Sequence, residues 1–349
     1  MSTPRYTRRQ ILGGAVRGGA SLALGATGLG LFGPDREMGS AGTARAAEPV
    51  RTLRIGYQKS STLLLAKLDG NLERRLAARG VRTEWGEFSS GPPLLSAIAV
   101  SALDVGEVGD APGVFAQAAG APVKYVAYAK ASPASVGLLV RWDSPVKTVA
   151  ELLGKRIGLA KGSSAHYFLI KTLKEAGLSY RDITPVFLQP PEGRAAFDTG
   201  DIDAWAVWDP FFAAAELGSR ARLLRDGRGL IPFYGFYLAS DAFLASSSDL
   251  VAPLLEELEV LESRAKKDVG KTAATLARQL GIPLEVATRY ETRKQRYGGK
   301  PLTPEIIASQ QEIADLFLAD GLISKPIAVK DYVWTRRADP RSKPEPQPK

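Results

Sequence analysis

From residue 53 onward, short apolar runs alternate with segments of helical period. LRIGY (53–57), VRTEWGEF (81–88), LDVGEVG (103–109) and VKYVAYA (123–129) read as strands. Between them, LLLAKL after Ser60-Ser61-Thr62, LLSAIAV after SSGPP, and the run opened by DAPG carry apolar residues at helical spacing. A second series begins near Thr148. VAELLG is expected as a helix ended by Gly154, RIGLA (156–160) as a strand, and GSSAHYFLIKTLKEAG as a capped helix ending at Gly177. ITPVFL, a helix through 194–199, the strand IDAWAVW and the helix FFAAAELG follow. Strands alternating with helices predict an α/β protein with mostly parallel sheets covered on both faces. LDVGEVGDAP and IDAWAVWDP share the pattern apolar, Asp, five residues, Asp, Pro, with one extra residue before the proline of the first. Two lobes whose strands end alike are expected from it. From 241 to 321 the pattern is almost wholly helical, each segment opening at Asp, Pro or Thr-Pro.

Composition narrows the chemistry. With 349 residues there is room for two cores. The 45% apolar and 24% charged content is that of a water-soluble globular chain, and no apolar run reaches the roughly 18 residues of a membrane span. The chain has no cysteine, which excludes disulfides, thiolate metal sites, a cysteine nucleophile and a lipid-modified N-terminal cysteine. Its single histidine, His166, excludes a multi-histidine metal site. No metal or cofactor is expected.

The net charge of +9 is concentrated at the ends. Residues 1–46 hold six arginines against Asp35 and Glu37, and residues 336–349 hold five bases against two acids. What remains is too nearly balanced to argue for nucleic acid. At the start, Arg8-Arg9 precede a Gly/Ala/Leu stretch running to Phe32, and Ala44-Arg45-Ala46 fits a small-x-small cleavage rule. Residues 1–46 therefore read as a cleaved export signal of the twin-arginine type. The exported protein is expected to be free in the periplasm, with no membrane anchor. The Pro-rich, charged stretch 336–349 reads as a disordered tail.

Ligands of open parallel sheets bind beyond the carboxyl ends of the strands, where helices begin. Four such junctions here are rich in small hydrogen-bonding residues: Gln58-Lys59-Ser60-Ser61, Ser89-Ser90-Gly91, Gly109-Asp110-Ala111 and Gly162-Ser163-Ser164-Ala165-His166. Unpaired amides at helix starts attract anions, and serine hydroxyls add adjustable donors. With only Lys59 and Lys161 nearby as full charges, the set suits a monoanion better than a phosphate. Any one of these serines alone reads equally well as a helix cap.

The segments LRIGYQKSS, FSSGPPLL, LDVGEVGDAP, KGSSAHYFL and RAAFDTGDIDAWAVWDPFFAAA resemble those of the periplasmic aliphatic sulfonate-binding proteins of ABC importers, over 53–334. KGSSAH and DAWAVWDP are the most specific; the strand and helix beginnings are shared with nitrate, taurine and thiamine-precursor binders. The resemblance implies a type II periplasmic binding protein, two-lobed, with ligand in the cleft. Lobe one would hold residues 50–142 and 238–335, including the helical C-terminal part, and lobe two 143–237. It implies a monomer that captures a small organosulfonate and delivers it to an ABC permease and its ATPase for sulfur acquisition. Taurine, sulfate esters, aromatic sulfonates and nitrate are the alternative ligands. A desulfinase-like enzyme of the same fold is disfavoured, since those enzymes use a cysteine nucleophile.

On that reading the ligand-binding residues are Gln58, Ser90, Gly91, Asp110, Ser163, Ser164, His166, Trp205, Trp208 and Asp209. Gln58 and the serines would donate to sulfonate oxygens. Asp110 would orient a neighbour or accept from an amine on the ligand. His166, in a positive backbone field, is expected to be neutral. Residues 202–208 are expected as the last strand of the inserted lobe, with Asp209-Pro210 at the cleft rim. Period two puts Trp205 and Trp208 on opposite faces, so Trp208, nearer the carboxyl end, should meet ligand while Trp205 belongs to the core.

Overall fold

The computed structural model describes residues 51–218, 221–294 and 298–335; the expected export signal (1–46) and tail (336–349) lie outside them. The chain begins with β1 (Arg51–Tyr57), α1 (Thr62–Asp69), α2 (Asn71–Ala77), β2 (Val81–Glu87), α3 (Gly91–Ala99), β3 (Val105–Gly109), α4 (Asp110–Ala118) and β4 (Val123–Ala129). Next come β5 (Val136–Arg141), β6 (Arg156–Leu159), α5 (Ser164–Glu175), β7 (Thr184–Phe187), α6 (Pro190–Thr199), β8 (Ala204–Trp208), α7 (Phe211–Gly218) and β9 (Ala221–Asp226). β10 (Gly235–Ser240) leads into α8 (Asp241–Ser247), α9 (Val251–Lys267), α10 (Val269–Leu280), α11 (Leu284–Arg293) and α12 (Pro304–Ala319).

Capping chemistry sets many of these ends. The Ser61 hydroxyl accepts from the Leu63 N–H at 3.0 Å to open α1, and Gly70 closes it in the left-handed region. Asp268 caps α10 through the Lys271 N–H at 2.8 Å, and Thr303 with Pro304 opens α12. One expected helix is absent. VAELLG forms only a 3-10 turn over Val149–Leu152, because the Glu151 carboxylate accepts from the Lys147 N–H and the Thr148 hydroxyl and so folds the segment back on itself.

The strands form two five-stranded sheets, ordered β2-β1-β3-β10-β4 and β7-β6-β8-β5-β9. In each, four strands run one way and the fifth runs against its two neighbours: β10 against β3 and β4, β5 against β8 and β9. Leu53 and Ile55 of β1 pack on Leu63, Leu72 and the α9 side chains Leu254 and Leu258. The opposite face packs Val108 and Tyr125 against Leu94, Val114 and Phe317. Both faces of the sheet are thereby taken out of water, as a mostly parallel sheet requires.

The pairing moves two boundaries, since residues 235–237, expected in lobe two, pair with β3 and β4 in the first sheet. The chain passes between the sheets before β5 and again before β10, so residues 136–141 pair in the second sheet and not with lobe one as the 50–142 boundary had it. The physical reason lies in VGLLV: all five residues are buried, and that run fits only an interior position, between β8 and β9. Nor is β8 the last strand of its lobe. It sits at the centre of the second sheet, and β9 follows it.

Within β8, Trp205 is 1% exposed and lies under α6 beside Phe197, with ring centroids 5.9 Å apart. A Cβ on Gly193 of α6 would stand 2.6 Å from Trp205 Nε1. Alanine normally exceeds glycine in a helix interior by up to about 1 kcal/mol. Here overpacking against a rigid ring should reverse the sign, so that Gly193→Ala destabilises by about 1–3 kcal/mol in urea unfolding. A stabilised variant would show that Trp205 is not held tightly beneath the helix.

Candidate functional site

A cleft opens where the carboxyl ends of strands from both sheets converge. Gln58, Ser60 and Ser61 enter it after β1, Gly91 at the start of α3, and Glu107 to Gly109 at the end of β3. From the second sheet come Ser163 and Ser164 at the start of α5 and Trp208 at the end of β8; Pro112 and Phe233 complete the wall. The halves meet closely. Ser89 and Ser90 donate from the β2–α3 junction to Gln189 Oε1 before α6, at 2.9 and 2.7 Å. A Cβ at Gly109 would overlap the Ser164 hydroxyl, so only glycine admits this approach.

The four helix starts are not equivalent. At α1 the Glu107 carboxylate, reaching over from β3, accepts from the Ser61 hydroxyl and the Thr62 N–H, both at 2.7 Å. At α4, Asp110 Oδ1 accepts from the Ala111 N–H at 2.9 Å. At α3 only Gly91 offers an amide before Pro92 and Pro93, which have none. At α5 the first-turn amides of Ser164 and Ala165 have no acceptor within the helix. The Ser163 and Ser164 hydroxyls are 2% and 5% exposed by residue and have no partner among the described residues. Lysine and arginine are absent from the described lining. Such an arrangement can offer directed hydrogen bonds to acceptor oxygens while supplying no cationic side chain.

An NMT1/THI5-like family profile matches residues 95–260. A protein of Escherichia coli (strain K12) named for aliphatic sulfonate binding is 38% identical over 283 residues, spanning 81% of this chain and 88% of that one. The chain belongs to the aliphatic sulfonate-binding protein family. Its counterpart in Bacillus subtilis (strain 168) is 32% identical over 297 residues, covering 84% of this chain and 89% of that one. Among solved structures, the alkanesulfonate-binding protein SsuA from Xanthomonas axonopodis pv. citri bound to MOPS is 41% identical, with a TM-score of 0.78 over 83% of this chain and 99% of that one.

In this family member, Gln58, Gly91, Ser163, Ser164 and Trp208 of the sequence-derived set line the cleft, and the other five do not. Ser90 spends its hydroxyl on Gln189. Asp110 is buried at the start of α4, and Trp205 lies in the core. Asp209 is 1% exposed beneath α7, accepting from the Ala213 N–H at 2.9 Å and facing Arg293 at 3.5 Å. Burial pushes Asp209 up to about 7, with Arg293 pulling the other way. Its position fixes the chain after β8 rather than the rim.

His166 lies behind the helix start, its ring stacked on Phe115 and 5.0 Å from Tyr180. Nδ1 accepts from the Gly162 N–H at 3.2 Å, holding the left-handed Gly162 that turns the chain into α5. The sequence reading named the junctions that hold Ser60, Ser61 and Gly109 without selecting those residues, and it missed Glu107, Val108, Pro112 and Phe233. Glu107 carried a readable signal, as the one charged residue inside an otherwise apolar and glycine strand. Phe233, 233 residues along and outside any strand, carried none.

Burial, followed by the nearby Lys161 charge, pushes His166 down to about 4 from an ordinary 6.5. As pH falls from 6.5 toward 4, the unfolded chain binds a proton that the folded one refuses, and stability is lost. His166→Asn keeps the acceptor for Gly162, so its unfolding free energy should lack this slope, which amounts to roughly 3 kcal/mol at most. Equal pH slopes in the two proteins, followed by chemical denaturation, would contradict the burial of a neutral ring.

Proposed function

We propose that this protein is an extracytoplasmic solute-binding protein that captures an aliphatic sulfonate in the interlobe cleft and delivers it to an ABC permease and its ATPase. The observation that carries the reading is the pair of buried, unpartnered hydroxyls of Ser163 and Ser164 at the start of α5, in a lining without lysine or arginine. A sulfonate is a monoanion at physiological pH with three weakly basic oxygens. It takes several directed donors and needs little positive charge. Ser163, Ser164, the first amides of α5 and the Gly91 amide would hold the head, and Trp208 with Phe233 would pack the organic tail. The relatives named for sulfonate binding, and the bound sulfonate MOPS in the Xanthomonas structure, support the same ligand class. The Arg8-Arg9 leader supports a periplasmic location.

A panel of alkanesulfonates, sulfate esters and nitrate tests the assignment by melting temperature. At 100 times its dissociation constant a true ligand adds about 2.7 kcal/mol of stability. Ser164→Ala and Ser163→Ala should each weaken sulfonate binding roughly 10- to 100-fold by calorimetry, as expected for a lost hydrogen bond to a charged group. A shift produced by nitrate alone, or full affinity in both serine variants, would remove the sulfonate reading.

A further inference from the structure

The cleft has a second chemical character on the side of the first sheet. Glu107 belongs to the lining, and its side chain is committed on one oxygen only. Oε2 accepts from the Ser61 hydroxyl and the Thr62 N–H. Oε1 receives no hydrogen bond from the described residues and is not among the sealed polar atoms, so it keeps some access to solvent in a residue that lines the cleft. Beside it, Gln58 Nε2 donates to the Glu107 carbonyl at 3.0 Å. That bond fixes which way the amide points, because a carbonyl can only accept. The Gln58 carbonyl oxygen and the second Nε2 N–H are both left over, so Gln58 can offer an acceptor as well as the donor the sequence reading assigned to it.

Helix capping alone does not account for this carboxylate. Ser61 already caps α1 through the Leu63 N–H, and a cap needs no oxygen left open to solvent. A bare anion entering this cleft would meet a like charge at close range, in a lining where no described lysine or arginine offsets it. The conflict disappears if the ligand carries its own cation. The geometry points to a zwitterionic aminosulfonate as the ligand class, with its sulfonate on the donor side at Ser163 and Ser164 and its ammonium on the acceptor side at Glu107 and Gln58. Glu107 is then the specificity residue that separates aminosulfonates from plain alkanesulfonates. This inference rests on the sulfonate reading above and narrows it.

Isothermal titration of the purified protein with matched pairs tests it: taurine against 1-propanesulfonate, and 3-aminopropanesulfonate against 1-butanesulfonate. Each pair differs in an ammonium replacing a methyl group. The amine-bearing member should bind tighter by roughly 10- to 100-fold, the worth of a charge-assisted hydrogen bond. Glu107→Gln keeps an acceptor for Ser61 and Thr62, so α1 stays capped, and it should bring the ratio within each pair close to one. Gln58→Met, which leaves the cap untouched, should lower the ratio in the same direction. Alkyl members that bind as tightly as their amine partners, or a ratio unmoved by both variants, would overturn the assignment of Glu107 while leaving the sulfonate site standing. Failure of every member of both pairs to bind would remove the sulfonate reading, and this inference with it.

Discussion

Two serine hydroxyls set the terms for the rest of this molecule. A buried hydroxyl without a partner costs about 1–3 kcal/mol, and Ser163 and Ser164 lie side by side in that condition at the start of α5. Such a group persists where surrounding structure forces it, and here the forcing comes from both lobes. Gly109 of β3 stands so close to Ser164 that no side chain fits between them. The Ser89 and Ser90 hydroxyls reach across to Gln189, and Lys174 of α5 meets Asp320 of α12 at 3.0 Å. These contacts hold the donors in place ahead of any acceptor. Preorganised donors exchange no old partner on binding, so the hydrogen bonds they make are kept as affinity rather than spent on rearrangement.

The chain's most conspicuous polar and aromatic residues divide between holding that arrangement and touching the cavity. Trp208 ends β8 at the lining, whereas Trp205, three residues back on the other face, fills the space under α6. His166 and Asp209 flank the cleft in sequence yet serve the backbone behind it. One fixes Gly162, and the other accepts from α7 and meets Arg293, which also pairs with Glu216. Both are desolvated, and their charged forms are correspondingly disfavoured. A site that must keep its donors aimed within narrow limits needs this kind of buried support.

Much of the architecture was legible because hydrophobic period and capping residues act over a few positions. β4 falls on the expected 123–129, and α1, α10 and α12 begin at their Ser, Asp and Thr caps. Three strands were left unread, β5, β9 and β10, and the first two differ in kind. β5 is a continuous apolar run with no alternation, and β9 is a half-buried edge whose arginines give no period-two signal. Missing β5 also displaced the lobe boundary, since the crossover is visible only once its strand is placed. In the site, local pattern located the helix starts but not what fills them. Glu107 reaches Ser61 across 46 residues and Ser90 reaches Gln189 across 99, and no local spacing encodes either choice of partner.

Those long-range choices turn four similar helix starts into a polar gradient. Two of them, α1 and α4, receive carboxylates from the protein itself, while α5, and to a lesser degree α3, keep donors for something else. A helix start neutralised by a built-in anion loses its attraction for a second one. In the proposed binding mode the anionic end of a ligand is thereby kept from the β1–β3 side and directed to α5. On that side the same carboxylate leaves one oxygen without a hydrogen bond from the described residues, beside the Gln58 amide. In the proposed binding mode the ligand's orientation follows from which helix dipoles the chain satisfies internally, and Glu107 would act on both ends at once: it would remove a competing anion site and supply the acceptor opposite the proposed one.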